Sequence, residues 1–341
     1  MNASTAAVHP RMPRADSPFF EAATFNDADR RAQAQLLHDD GYVVLRSVFD
    51  AELLAAARDE TSSLFRPELG DGHRSAYRCQ DAWVESAATR SIATAPPVID
   101  LLADLYGRRP FPFQTLTFRT GSQQRAHSDT LHFNSIPARF MGAAWVALED
   151  IEPDSGPLFY YPGSHRLPEL RSFEIGSHPV EVDYPTYEDA IETMMAANGI
   201  EPVTLEATAG DVFIWSANLV HGGHPIADPT TTRWSQVTHY YFDGCVYYAP
   251  RYSDPLQGTL ALRDVVDVTT GHPVAHRVGA HEVRTEPVDE LRHRVWIDEW
   301  YPPTGARREL EALARQGRRA TAALGRAARR RLTDRSGSQR G

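Results

Sequence analysis

Three residues of types that bind metal ions are spaced in the sequence as a metal site requires. His127 and Asp129 are separated by one residue, so on a β-strand their side chains point to the same side. His221 follows about ninety residues later, at the end of the apolar run DVFIWSANLV. Two imidazoles and a carboxylate on one face form the facial ligand set typical of non-haem Fe(II) oxygenases, which leaves three coordination positions open. The spacing therefore predicts a metal site made of His127, Asp129 and His221.

An arginine lies twelve residues beyond His221, in the predicted strand RWSQVTHYYF. A guanidinium binds a carboxylate through paired hydrogen bonds, so Arg233 is predicted to bind the far carboxylate of a keto acid that chelates the metal. Ser235 lies two residues further on the same face and is a candidate hydroxyl donor to the same molecule. Because the chain contains no lysine, an arginine must bind that carboxylate.

The order of these motifs resembles the phytanoyl-CoA dioxygenase family, which includes ectoine hydroxylases. The resemblance rests on HSDTLHF, then AAWVALEDIEPDSGPLFYYPGSHR, then VHGG with an arginine downstream. The earlier segment DDGYVVLRSVFDAELL also resembles the family's N-terminal pattern, and the resemblance covers residues 35–245. It implies an Fe(II)- and 2-oxoglutarate-dependent oxygenase that uses O2. The implied fold is mainly β with flanking helices, a double-stranded β-helix (jelly roll, cupin-like).

The resemblance also implies roles for single residues around the metal ligands. Arg233 matches the residue that binds the C5 carboxylate of 2-oxoglutarate. Gln114 matches a position where family members place an amide that hydrogen-bonds the cosubstrate. Gly223 stands where many members have a serine, so that contact is either absent or supplied by Ser235. Asp129 occupies the place that a halogenase of this type keeps open for chloride. The favoured reaction is therefore hydroxylation of an unactivated carbon of a small metabolite or natural-product intermediate, with release of succinate and CO2. Desaturation, epoxidation and ring closure stay open as alternatives.

Three other histidines compete for roles at this site. His132 follows Asp129 by three residues and faces the opposite side on a continuing strand, unless a turn intervenes. His224 would shorten the spacing to the arginine to nine residues. His239 is in phase with Arg233 and is interpreted as a core histidine whose hydrogen bonds are satisfied.

A second class of function stays open on the same scaffold. Two histidines and a carboxylate also bind Zn or Mn, so a cupin-like metal isomerase or a small-molecule binding protein is the alternative. Arg125 and Arg139 flank the His-Ser-Asp motif. They are candidates for binding an anionic substrate, with surface arginine as the favoured interpretation.

Helices followed by β-strands must position these residues. Amphipathic patterns predict a helix from Asp27, a second with Asp50 as N-cap and a third, PPVIDLLADLYGRR, that ends near Gly107. From Pro110 onward the chain consists of short β-rich runs, spaced as in an antiparallel sandwich or barrel. These runs are FQTLTFRT, MGAAWVAL, PLFYYP, VTLEATA, DVFIWSA and RWSQVTHYYFD. The insertion at 165–202 contains one predicted helix, 187–198, and is interpreted as a lid or binding loop, with surface decoration as the equal alternative.

Charge and composition divide the 341 residues into unlike parts. The net charge is −10, but residues 307–341 hold eleven arginines and three acidic residues and carry +8, which leaves −18 on the rest. The predicted organisation is a flexible tail (1–17), an oxygenase domain (18–306) and an arginine-rich helix (307–341). That helix is expected to be mostly solvated, with contact to an acidic partner or to the protein's own acidic body as the alternatives.

The same composition argues against several classes of partner. The acidic balance disfavours a nucleic-acid binder, and no apolar run is long enough for a transmembrane helix. Two cysteines cannot form a disulfide framework, which favours a reducing compartment, and the cytoplasm is the expected location. The expected partner is a small-molecule substrate.

Overall fold

The computed structural model describes residues 25–70, 73–172, 174–176 and 183–300. The chain divides into two compact units, Met1–Val295 and Trp296–Gly341, and every candidate site residue lies in the first. The predicted tails, 1–17 and 307–341, lie outside the described residues, and the predicted boundary after residue 306 stays a prediction. Among the described helices, none is long and apolar enough to cross a membrane.

Most of the helices precede the first long strand. The helices are α1 (Ala28–Asp39), α2 (Ala51–Thr61), α3 (Arg74–Tyr77), α4 (Ala87–Ala93), α5 (Pro96–Tyr106) and α6 (Tyr184–Ala197). Asp27 and Asp50 are the N-caps of α1 and α2, and each accepts a backbone N–H three residues on, at 2.7 and 2.9 Å. Gly107 ends α5 in the left-handed conformation, with φ 64°. The three predicted N-terminal helices are confirmed, and α6 begins three residues earlier than predicted.

The strands occupy each of the predicted β-rich runs. They are β1 (Tyr42–Leu45), β2 (Arg78–Gln80), β3 (Pro110–Phe118), β4 (Asn134–Ile136), β5 (Met141–Ala147), β6 (Leu158–Tyr160), β7 (Val203–Thr204), β8 (Val212–Ser216), β9 (His221–Gly223), β10 (Ser235–Phe242), β11 (Val246–Tyr248), β12 (Val266–Asp267), β13 (His272–Pro273), β14 (Arg277–Val278), β15 (His281–Glu282), β16 (Arg284–Pro287) and β17 (His293–Trp296). The run VTLEATA contributes only the short strand β7.

Two antiparallel sheets position the candidate site. The larger has the order β1-β8-β5-β10-β3-β2 and the smaller has the order β7-β6-β9. Strands β5 and β8 are buried along their whole length, which explains why MGAAWVA and VFIWS are apolar without alternation. One face of the larger sheet packs on the N-terminal helices, where Val146 and Ile214 share a core with Leu102. On the other face Trp145 packs in a core with Leu158 of β6, so the smaller sheet lies against this face.

Helix α6 of the insertion packs against the segments that carry the candidate ligands. Tyr187, Ile191 and Met195 are spaced four residues apart, lie on one face of the helix and are buried. They form a small core with Ala126 and Val220, the residues that precede the two candidate histidine ligands. The helix is thus part of the wall of the site, and its proposed motion as a lid stays a prediction.

Candidate metal centre

An antiparallel bridge between two backbones brings His127 and His221 side by side. The N–H of each donates to the carbonyl oxygen of the other at 3.0 Å, and the imidazole centroids are 4.5 Å apart. The Nδ1 atoms lie 2.9 Å from the carbonyl oxygens of Arg125 and Leu219, respectively. Because a carbonyl only accepts, both Nδ1 atoms carry the proton. Both Nε2 atoms therefore keep a lone pair that is available to a metal ion.

Asp129 reaches these histidines through a turn. It begins a 3₁₀ turn, Asp129–Leu131, which the hydroxyl of Ser128 caps. The predicted strand therefore ends before the carboxylate. The backbone of Ser128 is still extended (φ −117°, ψ 140°), so the side chains of His127 and Asp129 lie on the same side as predicted, with Oδ1 of Asp129 4.0 Å from Nε2 of His221.

The three predicted ligands form one cluster in the structure. His127, Asp129 and His221 each offer one ligand atom, and these atoms all lie within 4.8 Å of one another. Trp215 donates from Nε1 to Oδ2 of Asp129 at 2.9 Å, which orients the carboxylate. This is the donor set of a facial Fe(II) site, two nitrogens and a carboxylate oxygen.

Burial sets the protonation state of the two histidines. Burial lowers the pKa of His127 to about 4, with a further contribution from the neighbouring His221. Burial also lowers the pKa of His221 to about 4. At neutral pH both imidazoles are therefore uncharged, and this is the form that binds metal ions.

Arg233 is a buried positive charge without an acidic partner among the described residues. The residue is 3% exposed, and burial lowers the pKa of its guanidinium to about 10, so it stays protonated at neutral pH. Nη1 donates to the carbonyl oxygen of Gly156 at 3.1 Å, while Nε is buried with no hydrogen-bond partner. The guanidinium carbon lies 6.0 Å from the ring centroids of both Phe118 and Trp145. A buried, uncompensated charge is costly, so this environment suits an anion.

Gln114 and Ser235 lie on neighbouring strands of the larger sheet. Gln114 is in the middle of β3, opposite His239 of β10, and is 8% exposed. Ser235 begins β10 opposite Phe118, is fully buried, and its Oγ has no hydrogen-bond partner among the described residues. The Ser235 hydroxyl, two residues from Arg233, therefore retains its hydrogen-bonding capacity.

One cavity of about 670 Å³ joins these features. Its wall includes the three clustered residues together with Arg233 and Gln114 but does not include Ser235. The volume is in the range of ligand pockets that hold a small molecule.

The competing histidines fall into three different positions. His224 bonds through Nε2 to Oγ1 of Thr204 at 2.9 Å and takes no part in the metal cluster. His132 lines the cavity instead of facing away, because the turn at Asp129 reverses the alternation, and its Nε2 lies 3.4 Å from the Tyr184 hydroxyl.

The expectation that His239 is a satisfied core histidine is wrong. Its side chain lines the cavity, with Nε2 3.9 Å from Oδ2 of Asp129. Its Nδ1 is buried and has no partner among the described residues. Strand alternation placed His239 on the same face as Arg233, and that signal was sufficient to identify it.

Two further residues of the site were not predicted from the sequence. Trp215 bonds to Asp129, and strand alternation in VFIWS places it on the inner face with Phe213. The hydroxyl of Tyr187 on α6 accepts the N–H of Ser128 at 3.0 Å. The alternation of side chains along the predicted strand could have identified the tryptophan from the sequence. The tyrosine reaches this segment only through the tertiary structure, so no sequence signal was available for it.

Comparisons with known proteins agree with this architecture. Residues 37–229 match the model of the phytanoyl-CoA dioxygenase (PhyH) family. A probable phytanoyl-CoA dioxygenase of Caenorhabditis elegans is 24% identical over 180 residues, which are 47% of this chain and 53% of the relative. The chain thus spans about half the length of that curated relative.

Solved structures of two non-heme alpha ketoglutarate dependent enzymes have a similar fold. The epimerase SnoN, in complex with Fe3+, alpha ketoglutarate and nogalamycin RO, matches with a TM-score of 0.53 and 23% identity, over 79% of this chain and 98% of its own. The non-heme alpha ketoglutarate dependent carbocyclase SnoK from nogalamycin biosynthesis matches with a TM-score of 0.52 and 16% identity, over 67% and 88%. At these identities the likeness is one of fold.

Proposed function

Because the chain belongs to the phytanoyl-CoA dioxygenase family, we propose that it is an Fe(II)- and 2-oxoglutarate-dependent oxygenase that uses O2. One observation carries most of the weight. A His/Asp/His cluster and a buried guanidinium with no acidic partner among the described residues line the same cavity. We also propose that the two antiparallel sheets form the double-stranded β-helix that the resemblance implies.

The proposed Fe(II) ligands are Nε2 of His127, the carboxylate of Asp129 and Nε2 of His221. Hydrogen bonds from Nδ1 to backbone carbonyls fix both rings and make the imidazoles better ligands. The Trp215 N–H holds Oδ2 of Asp129 in the same way. The cluster supplies three ligands and leaves room for a chelating cosubstrate and O2.

The proposed contacts with 2-oxoglutarate are made by Arg233, Gln114 and Ser235. A carboxylate beside Arg233 would compensate the buried charge and give its unpaired Nε an acceptor. The hydrogen bond to Gly156 already fixes the guanidinium before the ligand arrives. The unpaired hydroxyl of Ser235 and the amide of Gln114 are the neighbouring donors.

The bound metal and cosubstrate supply the oxidising power, by oxidative decarboxylation of 2-oxoglutarate to succinate and CO2. The chain's own residues bind and orient the reactants and exclude water from them. We propose hydroxylation of an unactivated carbon as the outcome, because Asp129 occupies the position that a halide would need. The proposed substrate is a small metabolite or natural-product intermediate. A metal isomerase or binding protein on this scaffold would leave the buried charge of Arg233 without a role. The cytoplasmic location stays a prediction from the sequence.

The test uses the full-length protein with Fe(II), 2-oxoglutarate and O2 at high enzyme concentration, so that turnover without substrate accumulates measurable succinate. Succinate should form only when all three are present, and Asp129→Ala should abolish it. His224→Ala is the matched control, because this histidine bonds to Thr204 outside the cluster. Equal succinate from wild type and Asp129→Ala, or none from wild type, would contradict the proposal.

A further inference from the structure

The cavity that contains the metal cluster has an excess of positive charge. Besides Arg233, its wall includes four arginines, the cavity arginines: Arg74, Arg78, Arg251 and Arg263. Only two acidic residues of the described chain line the same wall, Asp129 and Glu188. Asp129 belongs to the metal cluster, and Oε2 of Glu188 lies 3.6 Å from Nη1 of Arg125, which is outside the cavity wall. The two acidic residues of the wall therefore do not neutralise Arg74, Arg78 and Arg263.

The cavity arginines come from two distant segments of the chain. Arg78 is on the edge strand β2, opposite Phe118 of β3, which places it on the inner face of the larger sheet. Arg74 lies one turn earlier, in α3, and is exposed at the mouth of the cavity. Arg251 and Arg263 follow β11. Convergence of both segments on one cavity is a property of the fold and not of a local basic run.

Aromatic rings hold two of these guanidinium groups in place. The guanidinium carbon of Arg263 lies 4.6 Å from the ring centroid of Phe133, and that of Arg251 lies 5.1 Å from the ring centroid of Tyr184. Both rings also line the cavity. A guanidinium stacked on a ring keeps its N–H edge available for a planar or tetrahedral oxyanion. The stacking thus pre-orders the donors.

Three of the cavity arginines have no acidic partner in the described part of the chain. No salt bridge within 4.0 Å joins Arg74, Arg78 or Arg263 to a described carboxylate. Nε of Arg263 is buried with no hydrogen-bond partner among the described residues. Burial lowers the pKa of Arg78, and repulsion from Arg74 lowers it further. Gathering these charges is unfavourable unless an anion joins them.

The positive charge lies close to the metal motif. Phe133, on whose ring Arg263 stacks, donates its N–H to the carbonyl oxygen of Asp129 at 2.9 Å, and its ring centroid lies 4.8 Å from that of His239. His132 is three residues from Asp129 and lines the same cavity. A ligand bound by the cavity arginines would therefore lie beside the cluster.

We propose that the cavity binds a substrate through an oxyanion group, a phosphate or a carboxylate, held by Arg78 and Arg263, with Arg74 and Arg251 adding to the field. The carbon to be oxidised then lies toward the metal cluster. That the bound anion belongs to the substrate of an oxygenase rests on the proposed function. The anion site itself does not depend on that function.

The test compares three probes of similar size: phenyl phosphate, benzoate and the neutral benzyl alcohol. Each is titrated calorimetrically into the full-length protein, anaerobically loaded with Fe(II) and saturated with 2-oxoglutarate so that Arg233 is occupied. One of the two anions should bind about tenfold or more tightly than the alcohol, and which one does so identifies the oxyanion. Added salt should weaken its binding.

Two variants and a matched control locate the site. Arg78→Gln and Arg263→Gln should each weaken anion binding by about tenfold or more, since each removes a charge-assisted contact. Arg263→Lys keeps the charge, so its affinity for the anion should lie between those of the wild type and Arg263→Gln. It replaces Arg263→Gln in the test if the glutamine variant does not fold. Arg294→Gln changes an exposed arginine outside the cavity wall and should leave the affinity within about twofold. Equal binding of the alcohol and the anions, or no effect of the cavity variants, would overturn the inference.

Repeating the titration without metal and 2-oxoglutarate separates the two proposals. If anion binding depends on Arg78 and Arg263 but the protein makes no succinate, the anion site is supported and the oxygenase proposal is rejected. If succinate forms but no such anion binding is seen, the oxygenase proposal is supported and the anion site is rejected.

Discussion

The hydrogen bond from Trp215 to Asp129 gives a quantitative test of how the metal site is built. Nε1 donates to Oδ2 at 2.9 Å, and both side chains are buried. Trp215→Phe keeps an aromatic ring on β8 but removes the donor. A hydrogen bond to a charged acceptor contributes about 1.5–3 kcal/mol. Since 1.4 kcal/mol corresponds to a tenfold change, Fe(II) affinity should fall about tenfold to a hundredfold, the range typical of residues that support metal ligands.

The assay is anaerobic Fe(II) binding, measured by competition with a chromogenic chelator. Trp145→Phe is the matched control, because Trp145 lies on the same face of the adjacent strand β5 and its buried Nε1 has no partner among the described residues. Both variants remove the same atoms from the core, but only Trp215→Phe also leaves a buried carboxylate oxygen without its donor, so it should lose more free energy of unfolding. Only Trp215→Phe should lose metal affinity. Affinity within about twofold of wild type for Trp215→Phe, or an equal loss in both variants, would refute the assigned role of this hydrogen bond.

Three further predictions test other parts of the site. Arg233→Gln should raise the dissociation constant of 2-oxoglutarate by about tenfold or more while Fe(II) affinity stays within about twofold, and unchanged 2-oxoglutarate binding in a calorimetric titration would refute the role of Arg233. Tyr187→Phe removes the acceptor of the Ser128 N–H and should lower the free energy of unfolding in urea by about 1 kcal/mol; no change would mean that this contact does not stabilise the turn. Burial lowers the pKa of His165 from 6.5 to about 4, so between these values the folded state binds fewer protons than the unfolded state. The free energy of unfolding should therefore fall as the pH decreases from 6.5 to 4, by at most about 1.4 kcal/mol per pH unit for this residue. In urea titrations at pH 7 and 5, His165→Gln should make this pH dependence less steep. An unchanged pH dependence would contradict the lowered pKa of His165.

The secondary structure was largely predictable because its causes are local. Asp27 and Asp50 cap their helices through hydrogen bonds to residues three positions away. The alternating and continuous apolar runs likewise marked β3, β5, β8 and β10. These signals depend on neighbours in sequence, which a sequence displays directly.

The geometry of the site was less predictable because it depends on contacts between distant residues. His127 and His221 meet through a backbone bridge, which no local pattern encodes. Alternation held from His127 to Asp129 but failed for His132, because the turn that Ser128 caps brings His132 into the cavity. A side chain that bonds to the backbone within two residues is a common way for a strand to end.

The arginines give the clearest contrast between sequence and space. Arg125 and Arg139, which flank the motif in sequence, are engaged by acidic residues, including Glu192 at 2.8 Å and Glu169 at 3.4 Å, respectively. The arginines that line the cavity come from segments far from the motif. Proximity in sequence to the motif therefore does not identify the arginines that line the cavity, because the fold decides which charges lie there.

The most direct test of the central claim is the visible absorption spectrum of the anaerobic full-length protein after Fe(II) and then 2-oxoglutarate are added. Chelation of the keto acid by an Fe(II) bound to His127, Asp129 and His221 predicts a charge-transfer band that appears only with both additions and is absent in His221→Ala. A protein that binds Fe(II), as judged by chelator competition, but develops no band at saturating 2-oxoglutarate would contradict the claim.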